Sequence, residues 1–340
     1  MTVILVIVVF LILIFPHELG HFLMAKASGM RVDRFSLGFG PKLWGIKRKE
    51  TEYVISLFPV GGYVKIAGMA PGEEDVEGGF CSKSLSKKIA VILSGSAMNF
   101  LVSILLFSLI FMIGFQVIDF ENPIVGEVIK GSPAEEVGIK PGDRIVSVNG
   151  HTVKEWQDIA RFVREKEDGE LQILISRGNT HMLYKVKPRY YQKYQRKLMG
   201  ISPSTKFVSY DPLTSIGLGA RRVVFLTGLI FKTLGSMITG KVPAQFSGPV
   251  GIVEYVGEAS RMGIIPFISL AAVLGVNLGL FNLFPIPALD GGRLVFLIIE
   301  GFRKKPVRIE FQEFVHYIGF LILIILMFLV TYQDILRILR

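Results

Sequence analysis

The chain has 340 residues, of which 51% are hydrophobic and only 19% charged. An average soluble domain carries about 25% charged residues, so a soluble cytosolic enzyme, a disordered chain and a disulfide scaffold are poor readings. The single cysteine, Cys81, rules out an internal disulfide and a Cys-rich metal site. The net charge of +10 would suit nucleic acid, but apolar runs of membrane length with basic inner loops account for it better, and no nucleic-acid partner is expected.

Four stretches reach the roughly 20 residues a helix needs to cross a bilayer. The first runs from Met1 to Ala25. It lacks the charged leader and the small-residue cleavage site of a secretory signal, so it is expected to remain in the mature protein. Near its inner end stands Pro16-His17-Glu18-Leu19-Gly20-His21. On a helix, His17 and His21 share one face and can bind one zinc ion, with Glu18 beside them to take a proton from water. The bland alternative is a buried His/Glu cluster that only packs helices. Such groups inside an apolar span cost free energy, which favours function.

Between spans one and two the chain is rich in Lys and Arg, from Lys26 to Lys88. Within it, YVISLFPVGGYVKI (53–66) reads as two short strands around a Gly-Gly turn. Span two covers Ile89 to Ile118, and its SGSAMNF segment (94–100) supplies small residues for close helix packing. Asn99 there reads as structural or substrate-adjacent.

The segment from about 119 to 260 contains a soluble module. A strand at 124–128 is followed by a turn and helix start at 131–134, and a strand at 144–148 by a tight Asn149-Gly150 turn. A helix is expected over Val153–Glu167, then strands at 171–176 and 182–186. This order, with SPAEEVGIKPGDRIVSVNG, resembles a PDZ domain of the bacterial protease-associated kind over roughly 122–188. The resemblance implies a groove for an extended peptide, possible carboxyl termini among them. Steric gating is the equal alternative. The basic, tyrosine-rich 185–197 reads as a linker touching lipid headgroups. Val223 to Thr239 is apolar but short and carries Lys232, so a helix lying on the outer membrane surface is expected.

Span three covers Met262 to Leu289. Asn282 lies about 27 Å along it and His17 about 24 Å along span one, at 1.5 Å per residue, so both reach a similar depth. Pro285 and Pro287 then break the helix. Irregular backbone at that depth is tolerated only inside protein or beside a water-filled cavity, which makes Asp290 the best third zinc ligand. Arg303, Lys304, Lys305 and Arg308 lead to span four, roughly Phe314 to Tyr332. His316 within it reads as a core or interfacial histidine. By the positive-inside rule both basic loops are cytoplasmic, and the termini and middle segment face outward.

HELGH in an amino-terminal span, a PDZ-like insert and NLFPIPALDGG in a later span together resemble the site-2 protease family (M50) of intramembrane zinc metalloproteases, in its bacterial regulator-of-sigma-E branch. The resemblance covers nearly the whole chain. It implies that His17, His21 and Asp290 bind one zinc ion and that Glu18 is the general base. It implies for Asn282 a contact to substrate or to the developing oxyanion, against the alternative of an interhelical hydrogen bond. Gly38-Phe39-Gly40-Pro41 and residues 53–64 resemble the family's membrane-reentrant β-structure, whose open edge can pair with an unwound substrate. Better-known members of the branch carry two tandem PDZ domains, and one is visible here.

The expected fold is thus a mainly α-helical polytopic membrane protein of about four spans, with a membrane-associated β-hairpin and an inserted extracytoplasmic α/β PDZ-like domain. The divisions are a first membrane part (1–118), the PDZ-like domain (119–190), a linker with a membrane-surface helix (191–261) and a second membrane part (262–340). The expected activity is cleavage of single-span membrane proteins already shortened by another protease, such as anti-sigma factors or remnant signal peptides, near the cytoplasmic side of the plasma membrane. The alternatives are a catalytically silent PDZ adaptor, which has no use for intramembrane ligands, and a transporter, which would show paired repeats.

Overall fold

The computed structural model describes residues 2–339 apart from 71, 74, 166–168, 193, 194 and 244–246. The expected helix end at 166–167 and part of the 185–197 tract lie outside the described residues. The chain divides into two compact units, one formed by Met1–Ile113 with Tyr210–Arg340 and the other by Gly114–Ser209.

In the first unit, α1 (Thr2–Ala27) leads into β1 (Val32–Arg48), β2 (Thr51–Ile66) and α2 (Leu85–Ile113). Residues 34–37 pair on one side with 62–65 and on the other with 52–55, while 44–48 pair with 51–55. The two long strands therefore bend, and the spatial order is 42–48, 51–56, 32–39, 62–66. The expected simple hairpin around Gly61-Gly62 is corrected: 53–58 and 62–66 do not pair with each other but flank 32–39. The reason is the bend at Pro59–Gly61, where Gly61 at φ 136° adopts a backbone that only glycine takes readily. No described strand covers the outer side of 62–66. Leu43, Trp44 and Phe58 are exposed at the far end of the sheet, an apolar surface suited to lipid.

The second unit contains β3 (Phe115–Ile118), β4 (Val125–Val128), α3 (Pro133–Glu136), β5 (Arg144–Val148), β6 (His151–Thr152), α4 (Trp156–Glu165), β7 (Leu171–Arg177), β8 (Thr180–Val186), β9 (Arg189–Tyr191), β10 (Arg196–Leu198), β11 (Ile201–Pro203) and β12 (Thr205–Val208). Its main sheet has the order β6-β5-β7-β8. Ile145, Val148, Leu171, Ile173 and Ile175 point into a core closed by Trp156, Ile159 and Val163 of α4. Asn149 and Gly150 both have positive φ and form the predicted tight turn. The unit extends past 190 because β11 pairs with β4 and β12 with β3, so 201–208, expected in a linker, are strands of the unit.

One buried ion pair ties this unit together. Asp143, 1% exposed, accepts from Arg177 Nε at 2.7 Å, Arg177 Nη2 at 2.8 Å and Lys140 N at 2.8 Å. Burial alone would raise the Asp143 carboxyl, but the Arg177 guanidinium and the Lys140 N–H hold it below the usual carboxylate range. A carboxyl depressed by folding stabilises above its unfolded pKa of about 3.9 and loses that contribution as pH falls through its folded value. In Arg177→Met the sign reverses, because an unpaired buried carboxylate is relieved by protonation. Hydrogen exchange on the full-length protein should then show β5 and β7 amides less protected than wild type at pH 7, with the deficit shrinking toward pH 4. A deficit independent of pH would refute this.

Back in the first unit, α5 (Pro212–Ile238), α6 (Pro249–Met262), α7 (Ile264–Asn282), α8 (Asp290–Arg303) and α9 (Ile309–Leu339) complete the chain. Among the described residues five helices, α1, α2, α5, α7 and α9, are long and apolar enough to cross a membrane, against the four expected. The protein is a multi-pass membrane protein. The fifth by length and composition is α5, a 27-residue helix that contains 223–239, the segment expected to lie on the membrane surface. Asp211 begins it by accepting from Leu213 N and Thr214 N, both at 3.1 Å, an N-cap followed by proline at the first helical position. The sequence reading began only beyond Arg221 and Arg222 and so missed this start. Gly219 lets α5 lie on α2; a Cβ there would stand 2.7 Å from Ile104 O.

Span three, expected over Met262–Leu289, is a shorter helix. Gly263, at φ 121°, separates α6 from α7, and α7 ends at Asn282. Thr2 lies beside Gly257 of α6 and Asn282 beside His17, so α7 runs parallel to α1.

Candidate metal centre

His17 and His21 sit one turn apart on α1, are 7% and 8% exposed, and face α2. Their Nε2 atoms are 3.2 Å apart. Asp290, the first residue of α8, brings Oδ2 to 3.1 Å from each of them. The three donors make a nearly equilateral triangle. Tetrahedral zinc, with bonds of about 2.0–2.1 Å, sets donor–donor edges of roughly 3.3–3.4 Å, so two neutral imidazoles and a carboxylate at this spacing fit the ion. His17, His21 and Asp290 are also the one group of potential ligands of this kind among the described residues.

The surrounding chain explains how the triangle is held. His21 Nδ1 donates to Val91 O at 2.8 Å. His17 Nδ1 is 3.2 Å from Asn99 Nδ2. Gly95 of α2 leaves the space the rings occupy: a Cβ there would come within 2.7 Å of His17 Cε1 and closer still to His21 Nε2. Gly20 seats α1 directly on the Ser94 carbonyl of α2.

Asp290 is aimed by its own loop. Gly291 and Gly292 follow it, and a Cβ on either would enter the 283–286 backbone, 2.6 Å from Leu283 O and from Ile286 O. Ala288 has φ 76°, a left-handed conformation costing of order 1–3 kcal/mol for a non-glycine residue. Its N–H donates to His316 Nδ1 of α9 at 2.8 Å. Three residues on, Gly319 lets α9 press on the loop, where a Cβ would be 2.6 Å from Pro287 O.

Glu18 points the other way around α1, toward the sheet. The Val64 backbone lies beside its carboxyl group, and Gly62 lies against its Cγ. Asn282 Nδ2 is 3.5 Å from His17 Nε2, at the depth the helix arithmetic expected. A cleft of about 530 Å³ opens over these groups and is bordered by His17, Glu18, His21, Asp290 and the free strand 63–66. All five residues singled out in the sequence therefore meet in one place.

Three further residues support the site, two of them noted in the sequence: Asn99 as structural or substrate-adjacent and His316 as a core or interfacial histidine. His316 holds the Asp290 loop, Asn99 touches His17, and Gly95 provides room. The signals were present: Gly95 and Asn99 are four apart, on one face of α2, and His316 and Gly319 are three apart on α9. What was lacking was knowledge of which faces turn toward α1.

The model of Peptidase family M50 matches residues 5–326. The chain is 35% identical over 336 residues to a putative zinc metalloprotease of Clostridium acetobutylicum, covering 98% of this chain and 97% of that protein. It is 32% identical to the regulator of sigma-W protease RasP of Bacillus subtilis, covering 99% and 98%. Among solved structures, 26% of the chain is similar to 92% of a PDZ domain of the SdrC-like protein of Listeria monocytogenes, with 20% identity and a TM-score of 0.23.

Proposed function

The chain belongs to Peptidase family M50, and we propose that this membrane zinc metalloprotease is an intramembrane endopeptidase in which His17, His21 and Asp290 hold one zinc ion. The observation that carries the reading is the triangle of donors with 3.1–3.2 Å edges beside a free strand edge. Zinc held there supplies a Lewis acid that brings the pKa of water near neutrality and polarises a carbonyl group.

The protein's own groups do the rest. A substrate helix unwinds and adds to the free side of 62–66 as a further strand, its main chain bonding to that edge. Glu18 takes a proton from the attacking water and returns it to the leaving amine. Asn282 donates from Nδ2 to the oxygen of the carbonyl under attack, where charge develops.

The PDZ-like unit faces outward and the site lies near the cytoplasmic side, since the basic 26–88 and 303–308 segments flank it. The unit admits substrates whose outer part another protease has shortened. Anti-sigma factors and remnant signal peptides are such single-span substrates, and the Bacillus subtilis relative is a regulator of sigma-W protease.

Purified wild-type protein should retain about one zinc ion per chain and cleave a single-span reporter with a short outer stub, but not the same reporter with a folded outer domain. Asp290→Asn should lose zinc affinity by more than the roughly 10–100-fold that loss of an outer partner costs. Unchanged affinity in Asp290→Asn would remove that residue from the ligand set. Equal cleavage of both reporters would remove the gating role.

A further inference from the structure

A histidine ligand offers zinc a lone pair, so its ring is neutral and the other nitrogen carries the proton. That N–H needs an acceptor, which fixes the tautomer and the ring orientation. For His21 the acceptor is Val91 O, 2.8 Å from Nδ1. A carbonyl cannot donate, so His21 Nε2 is bare.

His17 differs. Its Nδ1 partner is an amide, Asn99, with Nδ2 at 3.2 Å. In that orientation the amide donates to Nδ1 and the ring proton sits on Nε2, where Asp290 Oδ2 at 3.1 Å receives it. A zinc ligand needs the other tautomer, with Nε2 bare. Asn99 is 1% exposed, and its Oδ1 has no hydrogen-bond partner. The two ends of an amide are nearly identical in shape, so a half-turn keeps the packing and brings Oδ1 to Nδ1. The side chain is otherwise held in place: Gly279 of α7 closes on its Cβ, and its carbonyl accepts from Ser103 Oγ at 2.9 Å.

We infer that Asn99 is a positioning residue for His17: with its amide oxygen toward Nδ1, it holds the tautomer whose Nε2 lone pair faces His21 and Asp290. The inference rests on the proposed ligand set and adds a residue that never touches the ion.

Zinc affinity, measured by chelator competition on full-length protein in detergent, tests this without reference to cleavage. Asn99→Leu keeps the shape but accepts nothing, and should lose about 10–100-fold in affinity. Asn99→Asp offers an acceptor only and should bind zinc at least as tightly as wild type. A purely packing role predicts the reverse, since leucine suits an apolar interface and a carboxylate does not. Should the leucine variant fail to fold, the aspartate variant decides: wild-type affinity supports the inference, and a folded protein with a 10-fold or greater loss overturns it. His17→Ala separates the two levels. If it loses zinc while Asn99→Leu does not, the Asn99 inference alone falls; if it binds zinc as wild type does, the ligand set falls and the inference with it.

Discussion

Glu18→Gln should lower cleavage of a single-span reporter by about 10²–10⁴-fold, the range that a positioned general base supplies, with zinc content unchanged. The two side chains have nearly the same shape, so the contact with the Val64 backbone and the packing on Gly62 survive. What is lost is the ability to take a proton. Glu18 also lies outside the donor triangle, facing the strand rather than Asp290's partners. Zinc content and cleavage should therefore separate in this variant, whereas in Asp290→Asn they fall together. A Gln variant that cleaves at the wild-type rate would end the assignment of Glu18 as base.

Gly95→Ala should abolish both zinc binding and cleavage in a protein that still folds. The added methyl would stand 2.7 Å from His17 Cε1 and nearer still to His21 Nε2, inside contact distances that real side chains reach. α2 is also held by α7, whose Gly275 and Gly279 are seated against Ser103 and the Ser96 carbonyl, so it cannot easily retreat to make room. The imidazoles must swing away, and one displaced ring breaks the donor triangle. Affinity should fall at least about 100-fold, the upper end of what disturbing an outer partner costs. Gly228→Ala on α5, where a Cβ meets nothing within 4 Å, is the matched control and should leave both readouts unchanged. Retained zinc in the Gly95 variant would show that the rings do not occupy the space described.

Much of this site was legible in the sequence because its chemistry is costly. His17, Glu18 and His21 in an apolar run, and Asp290 after a proline break, are residues a membrane helix does not carry without cause. Helix rise alone put Asn282 at the right depth. The supporting residues were not legible for the opposite reason. Glycine, asparagine and serine on α2 serve equally well for close packing, and only the neighbour decides which role each has. The start of α5 was hidden because a cap and a first polar turn precede its apolar part. The bent sheet was hidden because pairing partners of 32–39 come from both ends of β2, and alternation within a strand is silent about its neighbours.

The donors that complete the triangle are 269 residues apart in the chain, His21 in the first helix and Asp290 near the start of the eighth. During synthesis the two histidines are made first and the carboxylate last. Everything between them, the whole second unit and the three apolar helices α2, α5 and α7, is therefore synthesised before the donor set can be complete.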